Sequence, residues 1–216
     1  MSRTTHASRA TRGRSAAERA ARRSELLDAA HGVITTAGPE ASMRAIAAAA
    51  GITKPVLYRY FGDKGGLYRA LADRYLSTLV GAVRQALTGP VDTRGRARAT
   101  IDAYLRFIES QPGVYRFLAH RAPVEQPDTH TAVSETIRRL GDEIGEALAA
   151  ELDLEGRPAG VAVALGHGIV GMVQAAGDWW LEQATMSRDE LTDSLTTLLL
   201  GGLGALDTAL ETPPVA

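Results

Sequence analysis

Apolar residues return every three to four positions along most of this chain, and that period fixes the fold class before any motif is weighed. Leu26, Ala29, Ala30 and Val33 stand at i, i+3, i+4 and i+7, the stripe of a first helix that begins near Ala16 and ends before Gly38 and Pro39. Ser42 suits the N-cap of a short second helix, Met43 to Ala50, which Gly51 closes. Thr53 can cap a third, with Pro55 in its first turn where a missing N–H costs little, and Asp63 a longer fourth whose stripe is Tyr68, Ala72, Leu76, Leu79 and Val83. Gly89 and Pro90 break the chain. Ile101, Tyr104, Leu105 and Ile108 mark the next helix, and Pro112 opens a short one towards Arg121. Residues 122 to 130, with Pro123 and Pro127, read as a loop, followed by Val133, Ile137, Leu140, Ile144 and Leu148 at helical spacing. Beyond Gly156 and Pro158 lies a long, weakly polar segment. Ser187 to Glu190 is a capping box for a last helix with the face Leu191, Leu195, Leu198, Leu199, Gly202 and Leu206. No strand pair is legible, so the expectation is an all-α protein of about nine helices.

Composition narrows the function. The 216 residues are 45% apolar and 23% charged, enough for a buried core without covalent staples, and the absence of cysteine excludes disulfides, thiol catalysis and Cys-ligated zinc. The net charge of -1 hides a split: residues 1 to 74 carry 13 Arg or Lys against 6 Asp or Glu, and the remainder 11 against 19. A basic front joined to an acidic body suggests a surface for a polyanion, with another task behind it. The first 23 residues hold seven arginines and one acid, Glu18, with Ser, Thr and Ala between, too little apolar volume to build a core, so residues 1–18 read as a disordered arm. An Arg- and Ser-rich start also fits an organellar transit peptide. A secretory signal needs an apolar run after its basic stretch, and Glu25 and Asp28 interrupt the only one on offer.

Residues 42 to 64 carry the chemistry. A short helix, a tight turn at Gly51 and a second short helix form a helix-turn-helix, which projects its second helix into a DNA major groove. That helix would present Thr53, Lys54, Pro55 and Val56, which offer a hydroxyl, a cation and apolar contacts to thymine methyls, while Tyr58, Arg59 and Tyr60 reach phosphates. Leu57 and Phe61 would face inward. The chain has two lysines, Lys54 and Lys64, and both fall on this face; Arg44 and Ser42 on the preceding helix are further candidates.

Ser42-Met43-Arg44-Ala45-Ile46-Ala47, Ala50-Gly51-Ile52-Thr53-Lys54-Pro55-Val56-Leu57-Tyr58-Arg59-Tyr60-Phe61, Lys64 and Leu67 together resemble the DNA-binding domain of the TetR family of bacterial repressors. The resemblance covers roughly residues 20 to 75. It implies an all-helical protein with a helix-turn-helix domain at 19–66, a larger ligand-binding and dimerisation domain at 67–210 and a tail at 211–216. By position it implies that Thr53, Tyr58, Tyr60 and Lys64 hold phosphates and that Arg44, Lys54, Pro55 and Val56 touch bases. Two departures stand out: Tyr60 replaces the family's usual His, and Gly65-Gly66 replaces a helix-favouring pair after Lys64. Two glycines in a first turn weaken a helix by about 1 kcal/mol each relative to Ala. The arginine arm, longer than the family minimum, is placed to lie in a flanking minor groove.

In the second half Gly166-His167-Gly168-Ile169-Val170-Gly171 matches the glycine pattern of a dinucleotide-binding turn, with Val161 to Leu165 as its strand. Too little chain follows for the βαβ repeats such a sheet needs. These glycines, with Gly160 and Gly177, suit close helix packing better. Residues 158 to 177 lack charge and approach membrane-spanning length, but Gly, Ala, His167 and Gln174 dilute the apolarity, so a buried interface helix is expected, not a span. Pairing it and the last helix across a two-fold axis gives a four-helix seam and a homodimer, which sets two recognition helices about 34 Å apart for a palindromic operator. For an apolar or amphipathic effector the candidates are Tyr104, Phe107, Ile108, Tyr115, Phe117, His120, His167, Met172, Trp179, Trp180 and Met186. Adjacent Trp179 and Trp180 point about 100° apart, so one is expected at the dimer seam. No catalytic motif, metal cluster or cofactor is legible. The expectation is a cytoplasmic DNA-binding regulator, a repressor released by its ligand; the alternatives are a basic-armed helical interaction protein and a nicotinamide-dependent enzyme built on the Gly166–Gly171 segment.

Overall fold

The computed structural model describes residues 4–38, 41–89, 92–121, 127–151 and 160–208; within these, the side chains of 4–14, 120–121, 127–130 and 205–208 lie outside the description. Nine α-helices and no strand are present among them: α1 (Thr4–Ala37), α2 (Met43–Ala49), α3 (Lys54–Phe61), α4 (Lys64–Leu87), α5 (Thr93–Ser110), α6 (Pro112–Arg116), α7 (Pro127–Glu151), α8 (Val161–Gln183) and α9 (Arg188–Thr208). A π-helical turn, Phe117–Arg121, continues α6. The all-α expectation holds.

Three local readings are corrected. The helix starts at Thr4, not near Ala16, so the arm expected to be disordered over 1–18 is helical from its fourth residue; Ala and Arg are among the best helix formers and no proline interrupts them. The loop expected over 122–130 is already helix from Pro127, which sits where a first-turn proline costs nothing. In α1 the buried stripe is Leu26, Leu27, Ala30 and Ile34, while Ala29 and Val33 stay half-exposed.

The chain divides into two compact units. The first comprises residues 1–73 with 113–130, and the second 74–112 with 131–216. The boundary between these units therefore falls within α4, and α6 with its π turn belongs to the first unit. In that unit Ile46, Leu57, Leu67, Tyr68 and Phe117 are wholly buried, and the Tyr68 and Phe117 rings meet edge to face at 4.7 Å. A Cβ on Gly113 would stand 3.1 Å from the Thr35 carbonyl oxygen, so α6 enters this core where only a glycine fits comfortably.

The second unit is held by α5 against α9 and by α8. Arg98 binds Asp193 at 2.7 Å, and Arg188 bridges Asp102 at 2.8 Å and Glu109. The Gly166–Gly171 segment lies inside α8, so the strand-turn-helix context of a dinucleotide site is missing, and the close helix packing expected of these glycines holds at Gly166. Its first glycine has a packing role: a Cβ on Gly166 would overlap the Gly141 carbonyl oxygen and stand 2.5 Å from the Gly145 amide nitrogen, so α7 and α8 cross backbone to backbone. Ser187 and Glu190 close the expected capping box, the Ser187 N–H donating to Glu190 Oε2 at 2.8 Å and the Glu190 N–H to Ser187 Oγ at 3.2 Å.

Candidate nucleic-acid interface

Helix α3 is short, and its eight residues divide cleanly between two surroundings. Leu57 and Phe61, four apart, are buried and fasten the helix to the core, which turns the intervening positions outward. Thr53, Lys54, Pro55 and Arg59 are exposed, and Val56, Tyr58 and Tyr60 half-exposed. Thr53 occupies the N-cap in extended backbone without a side-chain cap bond, so its hydroxyl is not consumed in closing the helix. The Lys54 ammonium lies 5.5 Å from the Tyr58 ring centre, an attraction that keeps the long cation along the helix and its charge at the surface.

The flanking helices complete the surface. Arg44 is exposed on the first turn of α2, whose amide Ala45 N–H donates to Ser42 Oγ at 3.2 Å; Ser42 therefore caps α2, a structural use additional to the contact expected of it. Gly51, in the left-handed region at φ 65°, makes the tight turn between α2 and α3. Lys64, half-exposed at the start of α4, places its ammonium 5.3 Å from the centre of the buried Tyr68 ring. All ten candidate DNA contacts thus lie at the surface within three consecutive helices.

Gly65-Gly66 has a different meaning from the one its helix propensity suggested. The Gly66 N–H donates to Asp63 Oδ1 at 2.7 Å, and a Cβ on Gly66 would overlap the Phe61 carbonyl oxygen. The glycine admits the end of α3 against the start of α4, where any side chain would collide with backbone.

The effector candidates do not converge in the same way. Tyr115 and Phe117 are buried in the first unit, while Tyr104, Phe107, Ile108, His167, Met172, Trp179, Trp180 and Met186 belong to the second; the His120 side chain lies outside the described residues. In the second unit the Phe107 ring packs 4.3 Å from that of Tyr75, a residue missed in the sequence although it falls seven positions after Tyr68 on the stripe of α4. Tyr75 donates its hydroxyl to the Gln111 carbonyl at 3.2 Å; burial, with Tyr104 nearby, pushes its phenol well above the ordinary tyrosine range. Gly177 brings α8 onto this cluster, where a Cβ would stand 2.8 Å from Ile108 Cδ1 and 3.1 Å from Tyr104 Cε1. His167 is instead half-exposed, its Nε2 3.1 Å from Asp142. Of the tryptophans, Trp180 is buried and donates to the Met186 carbonyl at 2.8 Å, whereas Trp179 is 48% exposed and leaves the set of interior candidates.

Comparison with known proteins decides the family. Residues 26–71 match the family described as bacterial regulatory proteins, tetR family, and residues 82–215 match the tetracyclin repressor-like C-terminal domain. The chain belongs to the TetR family. This TetR-family chain is 32% identical over 184 residues to the HTH-type transcriptional activator FasR of Mycolicibacterium smegmatis, covering 84% of this chain and 83% of that protein. The crystal structure of a TetR-like transcriptional regulator from Rhodococcus sp. RHA1 superposes with a TM-score of 0.65 at 27% identity, over 85% of this chain and 96% of that one. FadR of Bacillus subtilis, crystallised with stearoyl-CoA, shares the fold with a TM-score of 0.68 at 15% identity, over 82% and 97%. The TetR-family protein is accordingly a DNA-binding transcriptional regulator.

Proposed function

We propose that the protein is a homodimeric repressor without enzymatic activity that acts in the cytoplasm on a palindromic operator and leaves it on binding an apolar or amphipathic small molecule. One observation carries the DNA part: Leu57 and Phe61 are buried while every candidate contact around them is at the surface. Arg44, Lys54, Pro55 and Val56 read bases, and Ser42, Thr53, Tyr58, Arg59, Tyr60 and Lys64 position the backbone. The dimer reading is supported by large apolar side chains that a monomer leaves in water on α8 and α9: Val163 is 39%, Trp179 48% and Leu198 63% exposed. Helix α8 is long and apolar enough to cross a membrane by length and composition, and a partner helix accounts for the same apolarity.

For the effector, the aromatic cluster of Tyr75, Tyr104 and Phe107 in the second unit is the better-supported location, since Tyr115 and Phe117 are committed to the core of the first. Its make-up suits an acyl chain, and FadR of Bacillus subtilis, similar in fold, was crystallised with stearoyl-CoA. A ligand releases DNA only by its differential affinity for a dimer whose recognition helices are wrongly spaced. Activation is the second reading, favoured by the name of FasR; the same contacts serve either sign, which the operator's position relative to the promoter decides.

Fluorescence anisotropy with DNA from upstream of the protein's own gene, at two salt concentrations and with unrelated DNA as competitor, tests the reading. Competitor-resistant binding that weakens steeply with salt, and that long-chain acyl-CoA reverses, is the expected result. Binding abolished by the competitor would leave only a polycation effect. No binding by a folded dimer would return the protein to the interaction-protein alternative.

A further inference from the structure

Helix α1 is far longer than its packing requires. Its 34 residues span about 51 Å at 1.5 Å per residue, yet none of residues 15–25 is buried and the core begins only at Leu26. A helix that buries nothing over this stretch has no packing reason to exist there, and its composition, seven arginines and one acid in the first 23 residues, is that of a surface for a polyanion.

Where α1 passes the end of α3 it forms a recess of about 400 Å³ lined by Ser15, Glu18, Arg19, Arg59 and Tyr60. Its lining thus joins two arginines, Arg19 and Arg59, and Tyr60 with one carboxylate residue, Glu18. Among the described residues no carboxylate ion-pairs with Arg19 or Arg59, whereas Arg22, one turn further on, is held by Glu25 at 2.6 Å. Arg23, four residues after Arg19, lies over the Phe61 ring with 4.9 Å from guanidinium carbon to centroid, which ties this stripe of α1 to the C-terminal end of α3. The recess is therefore continuous with the surface already assigned to DNA, since Arg59 and Tyr60 belong to both.

We propose that Arg19, Arg59 and Tyr60 form a second phosphate-binding site, through which the N-terminal part of α1 grips the DNA backbone beside the helix-turn-helix. A planar, permanently charged guanidinium matches a phosphodiester bidentately, and the Tyr60 hydroxyl supplies a neutral donor to the same oxygens. The site adds affinity without reading sequence, because phosphates carry none.

The proposal rests on the DNA-binding reading and is tested on the full-length dimer by anisotropy from about 50 to 300 mM salt, with promoter DNA and with an arbitrary duplex about 30 base pairs long. Arg19→Ala removes one phosphate interaction per subunit, so the slope of log affinity against log salt falls by about 1.8 on both duplexes and affinity at 0.1 M salt drops on the order of 60-fold. Arg22→Ala removes the same charge from the same helix and leaves the slope near the wild-type value; Arg19→Lys restores most of it. Helix content by circular dichroism stays unchanged in all three, as these side chains are not buried. Equal losses in Arg19→Ala and Arg22→Ala would reduce the effect to net charge and overturn the site, as would a wild-type slope in Arg19→Ala. Wild-type protein that binds neither duplex brings down the DNA reading itself.

Discussion

The ten DNA candidates and the effector candidates follow from the same sequence by the same logic, and the structure treats them differently. The DNA set lies within 23 consecutive residues and emerges on one run of three helices, all at the surface. The effector set spans residues 104 to 186 and is divided between two units, with Phe117 wholly buried in one, Phe107 buried in the other and Trp179 in solvent. Local periodicity decides which side of a helix faces in, so a site built from neighbouring residues can be read directly. A site assembled from distant helices depends on which helix packs where, and no period encodes that.

The largest effect is expected of Phe117→Ala. If α6 and its π turn served the effector pocket, this change would blunt the ligand response and leave DNA binding intact. With the ring wholly buried against Tyr68, it instead costs about 3–5 kcal/mol of stability and lowers DNA binding by unfolding the first unit. Thermal denaturation with anisotropy on the same sample distinguishes the two, and Tyr104→Ala supplies the converse: DNA affinity unchanged, with more effector needed for release.

The next largest effect belongs to the DNA face. Lys54→Ala combined with Tyr58→Ala should weaken competitor-resistant operator binding by on the order of 100-fold, at about 1–3 kcal/mol for each side chain withdrawn from the DNA, while dimerisation by light scattering stays intact. A reduction below about threefold would show that this face does not carry the recognition.

Glycines separate what was legible from what was not. Gly51 closes a helix in the sequence and does so at positive φ in the fold. Gly66 misleads, because helix propensity describes a residue's own backbone, whereas this residue is glycine on account of a neighbour, the Phe61 carbonyl; at Gly166 the close packing expected from the sequence holds, and the neighbour is the α7 backbone. The disordered arm fails for a related reason, since a lack of large apolar side chains excludes a core but not a helix that serves a charged partner. Tyr75 is hidden by the same non-locality, its role set by Phe107 from another helix. Gly166→Ala measures this kind of constraint in the second unit. Its Cβ meets backbone that cannot rotate away, and overpacking of this sort costs about 1–3 kcal/mol, read as a lower melting temperature with the monomer–dimer equilibrium followed alongside.

The smallest effect contrasts two serine caps, one in each unit. Ser42 caps α2 by accepting from the Ala45 N–H, and the third helical position there is alanine. Ser187 caps α9 by accepting from the Glu190 N–H, while Glu190 returns the interaction by accepting from both the Ser187 N–H and hydroxyl. Those bonds, the backbone one first, hold the Glu190 carboxyl below the usual carboxylate range. Either serine changed to alanine should cost about 1 kcal/mol at pH 7. The two then diverge with acid. A carboxyl whose folded-state pKa is depressed stabilises fully above its unfolded value, about 4.3, and loses that contribution as pH falls from there through the lower folded value. Chemical denaturation between about pH 6 and 3 should therefore show the Ser187→Ala penalty shrinking with acid while the Ser42→Ala penalty stays flat. Glu190→Gln should remove the difference, and parallel pH profiles for the two serine variants would mean that the bond from the Ser187 hydroxyl to the Glu190 carboxylate contributes nothing in solution.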